Sequence, residues 1–252
     1  MKTSTEHVLA KVPEVTLGFW LIKIAATTLG ETGGDAVSMS MNLGYLVGTG
    51  IFAAIFLAAV VAQVKAKGFH PFLYWTTIIA TTTVGTTLAD FADRSLGIGY
   101  AGGSSLLLAL LLGSLFVWHR TLGSVSVSTV SSPKAEAFYW LTIMFSQTLG
   151  TALGDWTADT AGLGYTGAAI VFGGLLALVV AAYYWTSVSR TLLFWAAFIL
   201  TRPLGAVVGD FLDKPLSEGG LALSRYSASA ALLVFMLTAI LLFRQRAART
   251  AH

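Results

Sequence analysis

Apolar runs of about 20 residues, the length that crosses a bilayer core as a helix, recur along the whole chain. They fall near residues 15–37, 44–64, 71–92, 101–118, 138–158, 166–185, 192–212 and 226–243. The runs alternate in character. The even ones, such as Leu106 to Trp118 and Leu232 to Phe243, are rich in Leu, Ala and Val and offer nothing to a polar ligand. The odd ones carry glycines, threonines and carboxylates inside otherwise apolar sequence. The pattern predicts an all-α polytopic membrane protein of eight transmembrane helices, with the even helices facing lipid and the polar odd helices inside.

The polar residues of the odd runs repeat. Thr27-Thr28-Leu29-Gly30-Glu31-Thr32-Gly33-Gly34-Asp35 is echoed by 82–90, 147–155 and 202–210. In each copy a Gly (Gly30, Gly85, Gly150, Gly205) stands five residues before an Asp (Asp35, Asp90, Asp155, Asp210). A Trp (Trp20, Trp75, Trp140, Trp195) stands ten residues before that Gly. Internal repetition of this kind governs the fold. The motif glycines are spaced by 55, 65 and 55 residues, so the expected repeats are about 11–66, 67–120, 134–188 and 189–246. A Ser/Val/Thr-rich linker at 121–133 would separate two halves of one membrane domain over 1–252. Each repeat holds two spans, so all four are parallel and the bundle is expected to be pseudo-symmetric.

Charge sets the orientation. Lys2, Lys11, Lys65, Lys67, Arg120, Lys134, Arg190, Arg244, Arg246 and Arg249 collect on one side; Arg94, Lys214 and Arg225 lie on the other. By the positive-inside rule both termini are expected in the cytoplasm. The motif tryptophans then fall near the cytoplasmic interface, where an aromatic belt is expected, and Tyr45, Tyr100, Tyr165 and Tyr226 mark the outer one. Ten residues of helix rise ~15 Å, which sets each motif Gly near mid-membrane and each Asp farther outward.

Composition agrees with this class: 56% of residues are hydrophobic and 11% charged, with a mean hydropathy of +0.77. The net charge of +3 reads as topology rather than a nucleic-acid footprint. Residues 1–14 are polar and no small-residue cleavage site follows the first run, so no cleavable signal peptide is expected. Without cysteine there is no disulfide or thiolate chemistry. His7, His70, His119 and His252 fall outside the motifs, so zinc and haem sites are not expected. Gly48-Thr49-Gly50 sits inside a span, the wrong context for a nucleotide loop. A lone membrane lysine is not enough to suggest a rhodopsin against fourfold repetition.

Eight of the twelve acids belong to the repeats, as Glu31/Asp35, Asp90/Asp93, Asp155/Asp159 and Asp210/Asp213. Spacings of three or four residues align each pair on one helical face. A charge in hydrocarbon costs at least ~3 kcal/mol, so these groups must face one another, water, basic residues or bound cations. Lys23 and Arg202 are the candidate charge partners, standing in for substrate or pairing permanently with Glu31 and a neighbouring Asp. Arg94 and Lys214 directly follow Asp93 and Asp213 and are expected to satisfy those second acids. Thr28, Thr83 and Thr148, one turn below the acids, would supply neutral oxygens. Helix packing is the simpler role for the four motif glycines. Gly33-Gly34 is the better candidate for a helix break, and Pro203 for a kink.

Lys11 to Thr16, Phe19-Trp20, Lys23 and Thr27 through Asp35 resemble the first repeat of a bacterial membrane-protein family built from tandem two-helix repeats of unknown function. The resemblance covers nearly the whole chain and implies a bacterial cytoplasmic-membrane protein; it brings no substrate. The residues themselves suggest a secondary transporter, in the exporting direction, for a cation. Asp35, Asp90, Asp155 and Asp210 would be its ligands (metal ligands if it is a metal), with Glu31, Asp93, Asp159 and Asp213 beside them. Oxygen donors favour a hard divalent ion, while proton or sodium coupling and an organic cation remain alternatives. No resident cofactor and no nucleic-acid partner are expected; membrane lipid is, and a homodimer is compatible. A carboxylate-dependent membrane enzyme, with Glu31 and Lys23 as its asymmetric site, and a structural scaffold are the competing classes.

Overall fold

Each motif segment forms a helix that runs to its aspartate. The computed structural model describes residues 10–248. Lys2 and Arg249, two of the charges assigned to the cytoplasmic side, and the terminal His7 and His252 lie outside them. The motif helices are α1 (Leu17–Asp35), α3 (Pro71–Asp90), α5 (Pro133–Asp155) and α7 (Arg190–Asp213). The intervening ones are α2 (Tyr45–Lys65), α4 (Tyr100–Leu122), α6 (Gly164–Trp185) and α8 (Arg225–Leu242). Local chemistry marks the starts. Thr16 accepts from the amide of Phe19 and Ser132 from that of Ala135, and Pro71 and Pro133 occupy first-turn positions where no amide is needed.

The ends of α1, α3 and α5 share one device. A single π-helical turn follows the aspartate, closed by amides reaching back five residues: Met41 to Ala36, Leu96 to Phe91 and Ala161 to Trp156. Left-handed backbone then turns the chain, at Asn42 and Gly44, Gly97 and Gly99, and Gly162 and Gly164. These positions suit Gly or Asn, and the tyrosines follow at or one residue after the next helix start. In repeat 4 the helix runs on to Asp213 without a π turn. The chain is continuous helix through Gly33-Gly34, so the expected break is absent; Gly34 lies against Thr86 instead. Helix α7 also continues through Pro203.

The four motif helices pack in a cycle, α1 on α3, α3 on α5, α5 on α7 and α7 on α1. Each intervening helix lies outside and packs on the motif helix of the following repeat: α2 on α3, α4 on α5, α6 on α7 and α8 on α1. The even helices bury few residues; α2, for example, buries only Gly48, Ala59 and Gln63. Among the described residues five helices, α2, α4, α6, α7 and α8, are long and apolar enough to cross a membrane, which marks a membrane protein. The motif threonines, glycines and acids of α1, α3 and α5 make those three less apolar.

The cycle is drawn tight at the motif glycines. A Cβ on Gly30 would fall within 3.0 Å of Thr82, one on Gly85 of Gln147, one on Gly150 of Arg202 and one on Gly205 of Thr27. Each contacting residue stands three positions before the motif Gly of the next repeat, and the fourth contact closes onto the first repeat. A turn further on, Gly34 faces Thr86, Gly154 faces Ala206 and Gly209 faces Glu31 in the same way. The glycines therefore serve close helix approach.

The tryptophan end is sealed. Trp75, Trp140 and Trp195 are 1–3% exposed and join Phe19, Tyr74, Tyr139, Phe194 and Phe198 in one aromatic cluster. Of the expected belt, three of the four motif tryptophans thus form an interior plug, their rings turned inward, while Trp20 is only partly buried at its edge. The hydroxyls of Tyr74 and Tyr139 meet at 2.6 Å inside it. Across this end lie residues 10–15, 124–131 and 244–248, linked by backbone bonds such as Lys11 to Val130, Glu14 to Arg246 and Ala248 to Val12. A buried Lys11–Glu136 ion pair (2.7 Å) fastens the first segment to α5.

Gly85→Ala should be destabilising by about 1–3 kcal/mol, the scale of overpacking a close contact, because the new methyl meets backbone of α5 at 2.8–2.9 Å. Gly173→Ala, where a Cβ meets open space, should not. Thermal unfolding of the purified variants in detergent checks the difference.

Candidate functional site

The motif side chains form layers along the axis. One residue past the motif glycines stand Glu31, Thr86, Thr151 and Ala206. Arg202, wholly buried and rising from the layer below, crosses to them. Its Nη2 donates to Glu31 Oε2 at 2.9 Å, to Thr86 Oγ1 at 2.6 Å and to Thr151 Oγ1. Thr86 also donates to Glu31 Oε2 at 3.2 Å. Three helices and the arginine of the fourth thus meet around one carboxylate. Arg202, not Lys23, is the partner of Glu31. Lys23 is also fully buried, but its Nζ lies 4.2 Å above the Phe198 ring and 3.5 Å from Thr201 Oγ1, and among the described residues no acid forms an ion pair with it.

One turn outward, Asp35, Asp90, Asp155 and Asp210 are 1–3% exposed. Two cations reach in among them. Arg94 bonds Asp90 (2.8 Å) and lies 3.7 Å from Asp155; Lys214 bonds Asp35 (2.8 Å) and Asp210 (3.1 Å). The expectation that these cations serve their sequence neighbours is overturned. Adjacent residues on a helix point apart, whereas Asp90/Arg94 and Asp210/Lys214 are four apart and face each other. Asp213 is held instead by Arg225 at 3.0 Å, which also approaches Asp35 to 3.7 Å. Carboxylate oxygens of Glu31, Asp35 and Asp90 lie within 4.8 Å of one another, as do those of Asp35, Asp210 and Asp213. Asp35 belongs to both groups.

Above the aspartates opens a cavity of about 640 Å³. Its walls include Met39, Arg94, Asp159 and Lys214, each nine residues past its motif Gly, so it lies over the centre of the four-helix cycle. Tyr165, Glu218 and Arg225 complete the polar lining. Arg94 and Lys214 therefore stand between this vestibule and the aspartates. Asp159 lies exposed in the vestibule, while Asp93 is half-buried and turned toward Gly103 of α4. Thr28, Thr83 and Thr148 are buried and donate to carbonyls of their own helices, Ile24, Ile79 and Met144; among the described residues no hydrogen bond joins them to the acids. Thr86 and Thr151, four positions short of Asp90 and Asp155, are the threonines that reach the site.

Tandem repeats, inward-turned motif helices and five helices of membrane-crossing length define a helical membrane protein assembled from internal repeats. The chain belongs to the family described as Repeat of Unknown Function (DUF347), matched at residues 18–69, 73–124, 138–189 and 193–250. Each matched unit begins two residues before a motif tryptophan. Searches of curated proteins and of solved structures returned no match.

Removing one member of a buried ion pair leaves the other charge uncompensated, at a cost of about 3–5 kcal/mol. Arg202→Gln should therefore unfold at a markedly lower temperature than the unmodified protein. Adding Glu31→Gln to it should recover part of the loss, measured as a double-mutant cycle on the detergent-solubilised protein.

Proposed function

We propose that the protein is a secondary transporter for a cation, with a hard divalent metal ion as the preferred substrate. The observation that carries this is a mismatch of charge: among the described residues, Asp35, Asp90, Asp155, Asp210 and Asp213 share only Arg94, Lys214 and Arg225. Five ionised carboxylates against three cations leave an excess of two negative charges, which protons or a divalent cation would neutralise. A permanent structural network has no use for such an excess, because burying unmatched charge is costly. The donors are all oxygens, the choice of hard ions.

In this reading the vestibule admits the ion, and Arg94 and Lys214 act as tethered competitors for the aspartates. A cation arriving at Asp35 and Asp210 displaces Lys214; on release the lysine returns, so the empty site is never left with bare carboxylates. The aromatic plug closes the other end, and passage requires that end to open while the vestibule closes. All eight helices would span the bilayer as a pseudo-symmetric set of four parallel repeats. The 19, 20 and 23 residues of α1, α3 and α5, long enough at 1.5 Å per residue for a hydrocarbon core of ~30 Å, would be shielded by the apolar helices around them. The lysine and arginine distribution supports a cytoplasmic plug and an outward-facing vestibule, and the membrane in this reading is a bacterial inner membrane.

Purified protein should melt at a higher temperature with added Mg²⁺, Mn²⁺ or Ca²⁺. The response should vanish in Asp35→Asn/Asp210→Asn while the variant still folds, and uptake of the responding ion into proteoliposomes should fall to background. Unchanged stabilisation and transport in the folded variant would sink the proposal.

A further inference from the structure

An apolar groove runs along the outside of the bundle at its plug end. Helices α1 and α6 both pack on α7. Between them a cavity of about 400 Å³ is walled by Trp20 and Ile24 of α1, Leu176 and Val180 of α6, and Leu193 and Ala197 of α7. It reaches from Arg190, the first residue of α7, to Thr201. That stretch of helix rises ~16 Å, about half of a hydrocarbon core of ~30 Å, so the groove is one leaflet deep. Tyr183 and Tyr184, both exposed, stand at its mouth, the residue type expected where hydrocarbon meets headgroups.

The other repeats do not share this feature. The indole N–H of Trp75 donates to Gln245 Oε1 at 3.3 Å and that of Trp195 to the Val125 carbonyl at 3.0 Å, so the segments at 124–131 and 244–248 cover those rings. Trp20 is left partly exposed and lines the groove. Arg190 is equally particular to this place. At the same distance before the motif Gly, the other repeats have Val15, His70 and Ala135. The Arg190 guanidinium lies 4.2 Å above the Tyr183 ring, and Nη1 donates to the Tyr183 carbonyl at 2.5 Å, which fixes the charge at the mouth. It is the one charged residue in the wall.

Apolar walls of this length exclude an ion or a polar solute. The volume, spread along them, suits a flexible chain and not a helix, which is about 10 Å across. A cation at headgroup level selects negative charge, and the planar fork of arginine matches a phosphate. We propose that the groove binds one acyl chain of an anionic phospholipid from the leaflet on the plug side, with Arg190 at its phosphate. The site lies on the outer face of the bundle, apart from the aspartates, and does not depend on the transport reading.

Native mass spectrometry of the full chain in detergent, titrated with phosphatidylglycerol or with phosphatidylcholine of the same acyl chains, tests it. The first phosphatidylglycerol should bind about tenfold more tightly than the first phosphatidylcholine, the scale of one charge-assisted hydrogen bond. Arg190→Gln should bring the two lipids to equal affinity. Arg120→Gln, at another exposed basic residue of the same end but outside the groove, should leave the preference in place. Val180→Trp should weaken the first binding of both lipids by filling the groove. Arg190 and Val180 are exposed, so both variants are expected to fold, which their thermal unfolding checks. Asp35→Asn/Asp210→Asn should leave lipid binding intact, which separates this site from the cation site. Equal affinity of the unmodified protein for the two lipids would overturn the proposal. So would a preference that survives Arg190→Gln or is lost in Arg120→Gln, a first binding unaltered in Val180→Trp, or a dimer of the chain that excludes lipid.

Discussion

Four glycine contacts decide how near the motif helices come to one another, and the polar interior follows from that distance. Where a Cβ would lie within 3.0 Å of the neighbouring helix at Gly30, Gly85, Gly150 and Gly205, no side chain larger than hydrogen fits without displacing the backbone or its partner. The approach brings residues one turn outward onto a common axis, so that Arg202 of α7 can touch Glu31, Thr86 and Thr151 of three other helices. A wider spacing would separate these groups, and separated charges in a dry interior are far more costly than paired ones. The tight cycle is therefore also what makes a carboxylate-rich interior tolerable.

The outer helices complete this logic. Each packs on the motif helix of the following repeat, with α8 returning to α1, so no repeat is a self-contained hairpin. One repeat alone would expose a motif face it cannot bury, the reason repeat-built proteins need their neighbours. The plug shows the same interdependence: segments from the start, middle and end of the chain meet at Lys11, Val130 and Ala248.

The repetition of Trp, Gly and Asp at fixed spacing made four equivalent inward helices legible from the residues alone, and the same spacing pointed to glycines used for packing. Which cation served which acid was not legible in the way adjacency suggested. Asp93-Arg94 and Asp213-Lys214 are neighbours in sequence but diverge on the helix; the i, i+4 relation to Asp90 and Asp210 was the available signal. The pairing of Glu31 with Arg202 lay further out of reach, since it depends on which level of α7 meets which level of α1. The tryptophans show a related gap: position along the membrane normal does not say whether a ring turns to lipid or to the axis. Thr28, Thr83 and Thr148 met the same fate, because a buried helical threonine can satisfy itself on the preceding turn.

The repeats are alike in their acids and unlike in their cations, and that difference gives the site its form. All four carry the motif aspartate, whereas nine residues past the motif glycine the residues alternate: Met39, Arg94, Asp159, Lys214. The two cations divide the aspartates into Asp90 with Asp155 and Asp35 with Asp210, each pair spanning two successive repeats around the cycle. Two half-sites of equal acid content are thus closed by residues of different chemistry. Arg94 is a planar fork with a charge it does not give up, and Lys214 is a compact ammonium that exchanges partners readily. Lys214 is also the more buried of the two, with 8% of its side chain exposed against 35% for Arg94. Its half-site adjoins both groups of converging carboxylates through Asp35. If a cation exchanges with a tethered charge anywhere in this bundle, the chemistry favours the lysine's half-site, with the arginine's half-site holding its charge in place.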